Sequence, residues 1–300
     1  MSDSIPTRPP LTFRLLWKML KESGQEWLND KVPRLGAALA FYSVLSIGPL
    51  LLIVIAIAGL AFGRDAVSGY LYEEIRDLVG DIGAQAIQAI IASSASKSSG
   101  IVATLIGLVT LIISATGFFA QLQDAMNAVW NVDENQKRHW SWFIRKRVLS
   151  FALIVGIGFL LLISLVISAA LTALNAFVSD YTPVFMAQII NHAVSFIVTT
   201  FMFAMVFKIL PDVRIRWRDV WVGAAITAIL FSFGKYLIGL YLGQSALSSA
   251  YGAAGSLIVL LVWIYYSTQI FFFGAEFTQV YTRHFSTEIT PRTHRSNISK

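Results

Sequence analysis

The 300-residue chain contains no cysteine, which removes disulfides, thiolate nucleophiles and cysteine-ligated metals at once. Charge is nearly as scarce, because Asp, Glu, Lys and Arg together make up 13% of the residues, against roughly 25% in a soluble domain. Histidine is limited to His139, His192, His284 and His294, scattered so that no two form a ligand-spaced pair, and no metal and no cofactor is expected. A GxxxxGK[ST] loop is missing too, so any energy coupling is expected from an ion gradient or from downhill flow. The net charge of +6 would suit nucleic acid. Basic residues beside membrane spans are expected from topology alone, however, and no specific nucleic-acid partner is read here.

What the chain has in quantity is apolar sequence, at 56% hydrophobic residues. This predicts an all-α fold, a polytopic membrane protein whose bundle of six transmembrane helices occupies residues 36–281, with amphipathic interfacial helices. The spans read at 36–62, 101–121, 151–171, 184–210, 220–243 and 256–281. Ala56-Ile57-Ala58 in the first would satisfy the small-residue rule for signal cleavage. The run is longer than the about 7–15 apolar residues of a signal peptide, so it reads as a span. Gly48-Pro49 interrupts the same segment and predicts a kink, of the kind that borders binding sites in transporters.

Lysine and arginine crowd into the N-terminal segment 1–35, the loop after the second span, the loop before the fifth and the tail 282–300. The loop 63–100 carries only Arg64, Arg76 and Lys97. The positive-inside rule then places both termini in the cytoplasm. Residues 11–31 alternate Phe13, Leu16, Leu20, Trp27 and Leu28 with Arg14, Lys18 and Lys21, which fits a helix in the membrane interface or one packed on cytoplasmic loops. The loop 63–100 sets Val67, Leu71, Ile75, Leu78 and Ile82 at helical spacing against acids and adds a patch at Ile87, Ile90 and Ile91. It reads as an amphipathic helix on the outer face, either a lid or a structural cap.

The last span carries the most chemistry. Tyr265, Tyr266, Gln269 and Glu276 recur at steps that return to one helix face, and a carboxylate left in lipid costs roughly 3 kcal/mol. Depth along the helices sorts polar residues into two layers. Lys235, on the order of 12 Å from the outer end of its span, shares a level with Asn191, His192, Tyr265 and Tyr266. Glu276, on the order of 8 Å from the inner end, shares one with Tyr42, Ser43 and Gln121, and Arg34, Arg145, Arg147 or Lys208 is expected to neutralise it. Each of these residues has two readings, a step in a substrate path or a structural role. For His192 the plain reading is a hydrogen-bonded helix residue. For Lys235 the path reading is favoured, because a deep lysine snorkels less easily.

With those residues in view the chain resembles the YihY/BrkB family of bacterial inner-membrane proteins, once catalogued as ribonuclease BN. The resemblance rests on Gly36 to Ser43 with Pro49, Ser114 to Gly117 running on to Ala125 to Trp130, Leu210-Pro211 before Trp217, and Tyr251 to Ser256 through Trp263 to Tyr266 and Gly274-Ala275-Glu276. It implies a six-span envelope protein of the bacterial inner membrane that moves a lipid or lipopolysaccharide precursor. No catalytic residues come with it, and nuclease chemistry would need clustered metal ligands that this sequence lacks. The expected role is therefore non-enzymatic. The protein would transport an amphiphilic anionic substrate with membrane lipids as its partners, the alternative being an assembly or structural partner for other envelope proteins.

Overall fold

The computed structural model describes residues 12–62, 116–132, 184–244, 255–285 and 290–291, with isolated positions between 69 and 88. Among them the chain is helical apart from one two-residue ladder. The helices are α1 (Phe13–Asn29), α2 (Val32–Phe62), α3 (116–129), α4 (Val184–Ile209), α5 (Trp217–Gln244) and α6 (Gly255–Phe285). The strands β1 (Val213–Arg214) and β2 (Thr290–Pro291) pair antiparallel, with Val213 opposite Pro291. The expected third span at 151–171 lies outside the described residues, as do Arg145, Arg147 and most of the loop 63–100.

Helix boundaries follow local chemistry. Thr12, in extended backbone, starts α1 and accepts from the amides of Leu15 and Leu16. The helix stops where Lys31 takes a left-handed φ of 55° and its amide bonds back to the Leu28 carbonyl. Asn131 does the same after α3 with φ 49°. Its amide reaches Ala128 and that of Val132 reaches Asn127, the paired bonds of a Schellman cap with asparagine at the position glycine usually holds. α3 therefore runs past the expected end at Gln121, and α6 runs past Tyr281.

The chain divides into two compact units. The first comprises Met1–Lys31, Met126–Ala228 and Phe272–Lys300. In it Met19 of α1 is buried against Phe277, Val280 and Tyr281 of α6, with Leu15, Leu16, Leu20, Val222 and Ile226 closing around them. The acyclic and aromatic side chains continue along α6, where the Tyr281 and Phe285 rings lie 4.7 Å apart. The second unit, Val32–Ala125 with Ile229–Phe271, packs Ala40 and Ile87 with Ile238, Leu242, Val259, Leu260, Trp263 and Ile264. Ile87 thus joins a core, while Ile90 and Ile91 of the expected patch lie outside the described residues.

Close helix approach rests on a motif that occurs twice. Gly223-Ala224-Ala225-Ile226-Thr227 on α5 and Gly274-Ala275-Glu276-Phe277-Thr278 on α6 set glycine and threonine four residues apart. In the first unit they oppose each other reciprocally. A Cβ on Gly223 would collide with Thr278, and one on Gly274 with Thr227. Each threonine hydroxyl donates to the glycine carbonyl one turn back in its own helix, at 2.7 Å in both cases. The polar atoms are thereby satisfied within each helix while the backbones pack together, the geometry that small residues permit between membrane helices.

Candidate functional site

α6 has 31 residues, a length of about 46 Å, well beyond the roughly 30 Å of a hydrocarbon core. Its two halves meet different surroundings. Between residues 255 and 271 burial follows the helical period, with Leu257 and Leu261 exposed and Val259, Leu260, Trp263 and Ile264 buried. From Gly274 to Thr282 every side is covered by protein. Glu276 sits in that enclosed stretch with an exposure of 0%.

Glu276 stands two positions from both Gly274 and Thr278, so its side chain leaves α6 away from the glycine–threonine crossing. What it meets is the C-terminal end of α1. There Glu22, Glu26 and Asp30 recur every four residues and form one acidic stripe. The stripe meets α6 in antiparallel order. Arg283 donates to Glu22 at 2.5 Å and to Glu26 at 3.0 Å, and His284 lies 2.9 Å from the second Glu22 oxygen. Asn29 reaches the other Glu26 oxygen at 3.5 Å. One turn further along, Asp30 and Glu276 face each other within hydrogen-bonding reach.

That pair differs from the others in its lack of a donor. Both oxygens of Glu276 and Oδ2 of Asp30 are buried without an N–H or O–H partner among the described residues, and the Gln279 amide oxygen, one turn from Glu276, is in the same state. Two carboxyl groups bond to one another only when a proton lies between them, since a carboxylate is an acceptor alone. Burial raises the Asp30 carboxyl above its ordinary range, the hydrogen bond with Glu276 works against this, and the charge of Glu26 adds to the rise. At the other end of the stripe burial also disfavours the Glu22 charge, but His284 and Arg283 outweigh it and hold that carboxyl below its usual value.

Of the cations expected to neutralise Glu276, Arg145 and Arg147 lie outside the described residues. Lys208 donates to the Ile215 carbonyl and stands 5.5 Å from the centre of the Trp217 ring, and Arg34 is exposed. Among the described residues, the charges that reach Glu276 are those of Asp30, Glu26 and Arg283. The spacing of Glu22, Glu26 and Asp30 was the available signal, overshadowed by the basic residues on the same helix.

The remaining candidates have their own neighbours. Tyr42 lies against Gly117, where a Cβ would meet the ring at 2.7 Å, and Ser43 donates to the Leu39 carbonyl at 2.8 Å. Tyr265 and Tyr266 pack on the apolar cluster of the second unit, and Tyr266 also borders Gly234. Gln269 abuts Gly36, with both amide heteroatoms buried and without a partner among the described residues. Lys235 is half-buried on α5 and His192 is exposed on α4, while the Asn191 side chain lies outside the described residues. Asn127 lies within the Ala125–Trp130 stretch. It donates to Asp212 at 2.9 Å and accepts from the Asp212 amide at 3.0 Å, joining the Ala125–Trp130 stretch to the residues after Leu210-Pro211.

Helices α4, α5 and α6 contain segments long and apolar enough to cross a membrane, and Ile197, Ile229, Phe233 and Tyr241 among others present large apolar side chains outward. This defines a helical membrane protein. The chain belongs to the family described as Virulence factor BrkB, which it matches over residues 23–299. A UPF0761 membrane protein of Ralstonia nicotianae is 26% identical across 82% of this chain and 55% of its own length. Another of Verminephrobacter eiseniae is 26% identical across 88% and 62%, and one of Psychromonas ingrahamii 28% identical across 89% and 87%. The chain therefore spans little more than half of the Ralstonia relative and most of the Psychromonas one. No solved structure matches it significantly.

Proposed function

We propose that this protein carries an amphiphilic anionic substrate, such as a lipid or lipopolysaccharide precursor, across the bacterial inner membrane, with both termini in the cytoplasm. The observation that carries the reading is Glu276, a wholly buried carboxyl on a helix long and apolar enough to span a bilayer. Ionisable groups in such helices are costly and mark ion and substrate pathways by default. Lys235, half-buried among the exposed apolar side chains of α5, is the group assigned to hold the anionic headgroup, with Tyr265 and Tyr266 at its level. Glu276 is assigned the proton whose exchange releases the substrate. The six-span topology belongs to the same reading.

The test is movement of a labelled anionic lipid in vesicles containing the purified protein. Lys235→Met is expected to weaken headgroup binding or movement without unfolding, because removing a costly charge from a bundle is often neutral or stabilising. Glu276→Gln preserves shape and removes only the ionisable group, so the pH dependence of movement should vanish. Wild-type transport in both variants would return the two charges to structure. A non-transporting assembly partner would then be preferred, a reading to which the tight glycine–threonine crossing of α5 and α6 also lends itself.

A further inference from the structure

We infer that Asp30 and Glu276 together form a proton-binding site, a single proton held between the enclosed carboxyl of Glu276 and the half-buried one of Asp30 and supplied along the acidic stripe of α1. The proposal rests on the transport reading for what the proton does, while its existence is read separately.

Geometry makes the case. Asp30 and Glu276 are within hydrogen-bonding reach, Glu276 is fully enclosed, and neither of its oxygens meets any other donor among the described residues. The Gln279 amide oxygen, buried nearby on the same helix and without a donor, adds acceptor capacity and no positive charge. A bound metal ion would be the other way to relieve such a cluster. Among the described residues, however, no three acidic or histidine side chains have a metal-holding arrangement. One proton meets the need, because it converts two repelling acceptors into a donor and an acceptor.

Among the described residues, few charged groups face the pair. Glu26 on α1 adds negative charge, and Arg283 on α6 opposes it from a distance, already engaged by Glu22 and Glu26. That end of the stripe reaches water, since the Arg283 side chain is 42% exposed and Glu22 27%. Protons entering there meet carboxylates at four-residue spacing leading to the enclosed end. Taking up the proton adds an O–H between Asp30 and Glu276, and releasing it leaves both carboxylates ionised and repelling across the junction of α1 and α6. The site therefore joins proton occupancy to the seating of α1.

The experiment is difference infrared spectroscopy on the purified full-length protein as pH is swept upward from about 6, where exposed carboxyls are already ionised. The wild type should lose a protonated-carboxyl band during the sweep. Glu276→Gln and Asp30→Asn should each lack that band, and Glu22→Gln should retain it. If Glu276→Gln does not fold, Asp30→Asn on the half-buried end of α1 carries the test alone. A band that persists in Asp30→Asn, or a wild type without one, overturns the site. A band abolished in the variants while lipid movement keeps its pH dependence upholds the site and separates it from transport.

Discussion

Burial holds the Asp30 carboxyl above its unfolded value of 3.8, its hydrogen bond with Glu276 pulls the other way, and the charge of Glu26 raises it further. The folded state therefore binds a proton more tightly than the unfolded chain, and its contribution to stability is complete below pH 3.8. It is lost as pH rises through the folded value. Thermal stability of the wild type should decline toward alkaline pH, and Asp30→Asn should flatten that decline. A wild type and variant with parallel pH profiles would show that the pair makes no such contribution. Glu22 has the opposite sign, because burial is outweighed by His284 and Arg283 and its carboxyl is held below 4.5. Its contribution is present above pH 4.5 and disappears as pH falls through the lowered folded value. Exposure of both partners limits the worth of this ion pair, so Glu22→Gln should cost about 1 kcal/mol or less at neutral pH, measurable in denaturation titrations.

At the scale of helices, the reciprocal crossing of Gly223 and Thr227 with Gly274 and Thr278 leaves no room for a Cβ on either glycine. Gly223→Ala or Gly274→Ala should destabilise the protein by about 1–3 kcal/mol through overpacking. Thr278→Ala in the Gly223→Ala background should recover part of that loss, because it removes the colliding atoms. Failure of the double variant to recover would show that the damage lies elsewhere. The end of α1 offers a cleaner backbone test. Lys31 has a φ of 55°, a conformation that costs an L-residue roughly 1–2 kcal/mol and glycine nothing. Lys31→Gly should therefore raise the melting temperature or leave it unchanged, and Lys31→Val should lower it.

For the whole molecule the testable quantity is orientation in the membrane. The absence of cysteine means that single introduced cysteines report without background. A membrane-impermeant thiol reagent applied to intact cells should label positions 85 and 180 and spare 140 and 216, if both termini are cytoplasmic. Labelling at 140 would reverse the assignment. The half-length coverage of the Ralstonia relative makes that protein a useful comparison for which reactions belong to the shared region.

Composition and period alone carried the class of fold, because a lipid environment satisfies backbone polar groups only in helices or closed barrels and leaves long apolar runs in plain view. The starts of α2, α4, α5 and α6 fall within a few residues of the places expected from hydropathy. Glu276 was legible for the same reason, as a carboxyl in an apolar run has a cost that any hydropathy reading registers. Its partner was not. Helical depth assigns residues to levels but does not say which helix turns toward which, and among the described residues the fold brings Asp30 to Glu276. Likewise the two glycine–threonine motifs acquire their meaning only when packing sets them against each other. The sequence by itself determined that this is a helical membrane protein with a costly carboxyl in its last long helix. Only the tertiary structure decided that a second carboxyl faces it, since that juxtaposition joins residues distant in the chain and depends on how α1 docks.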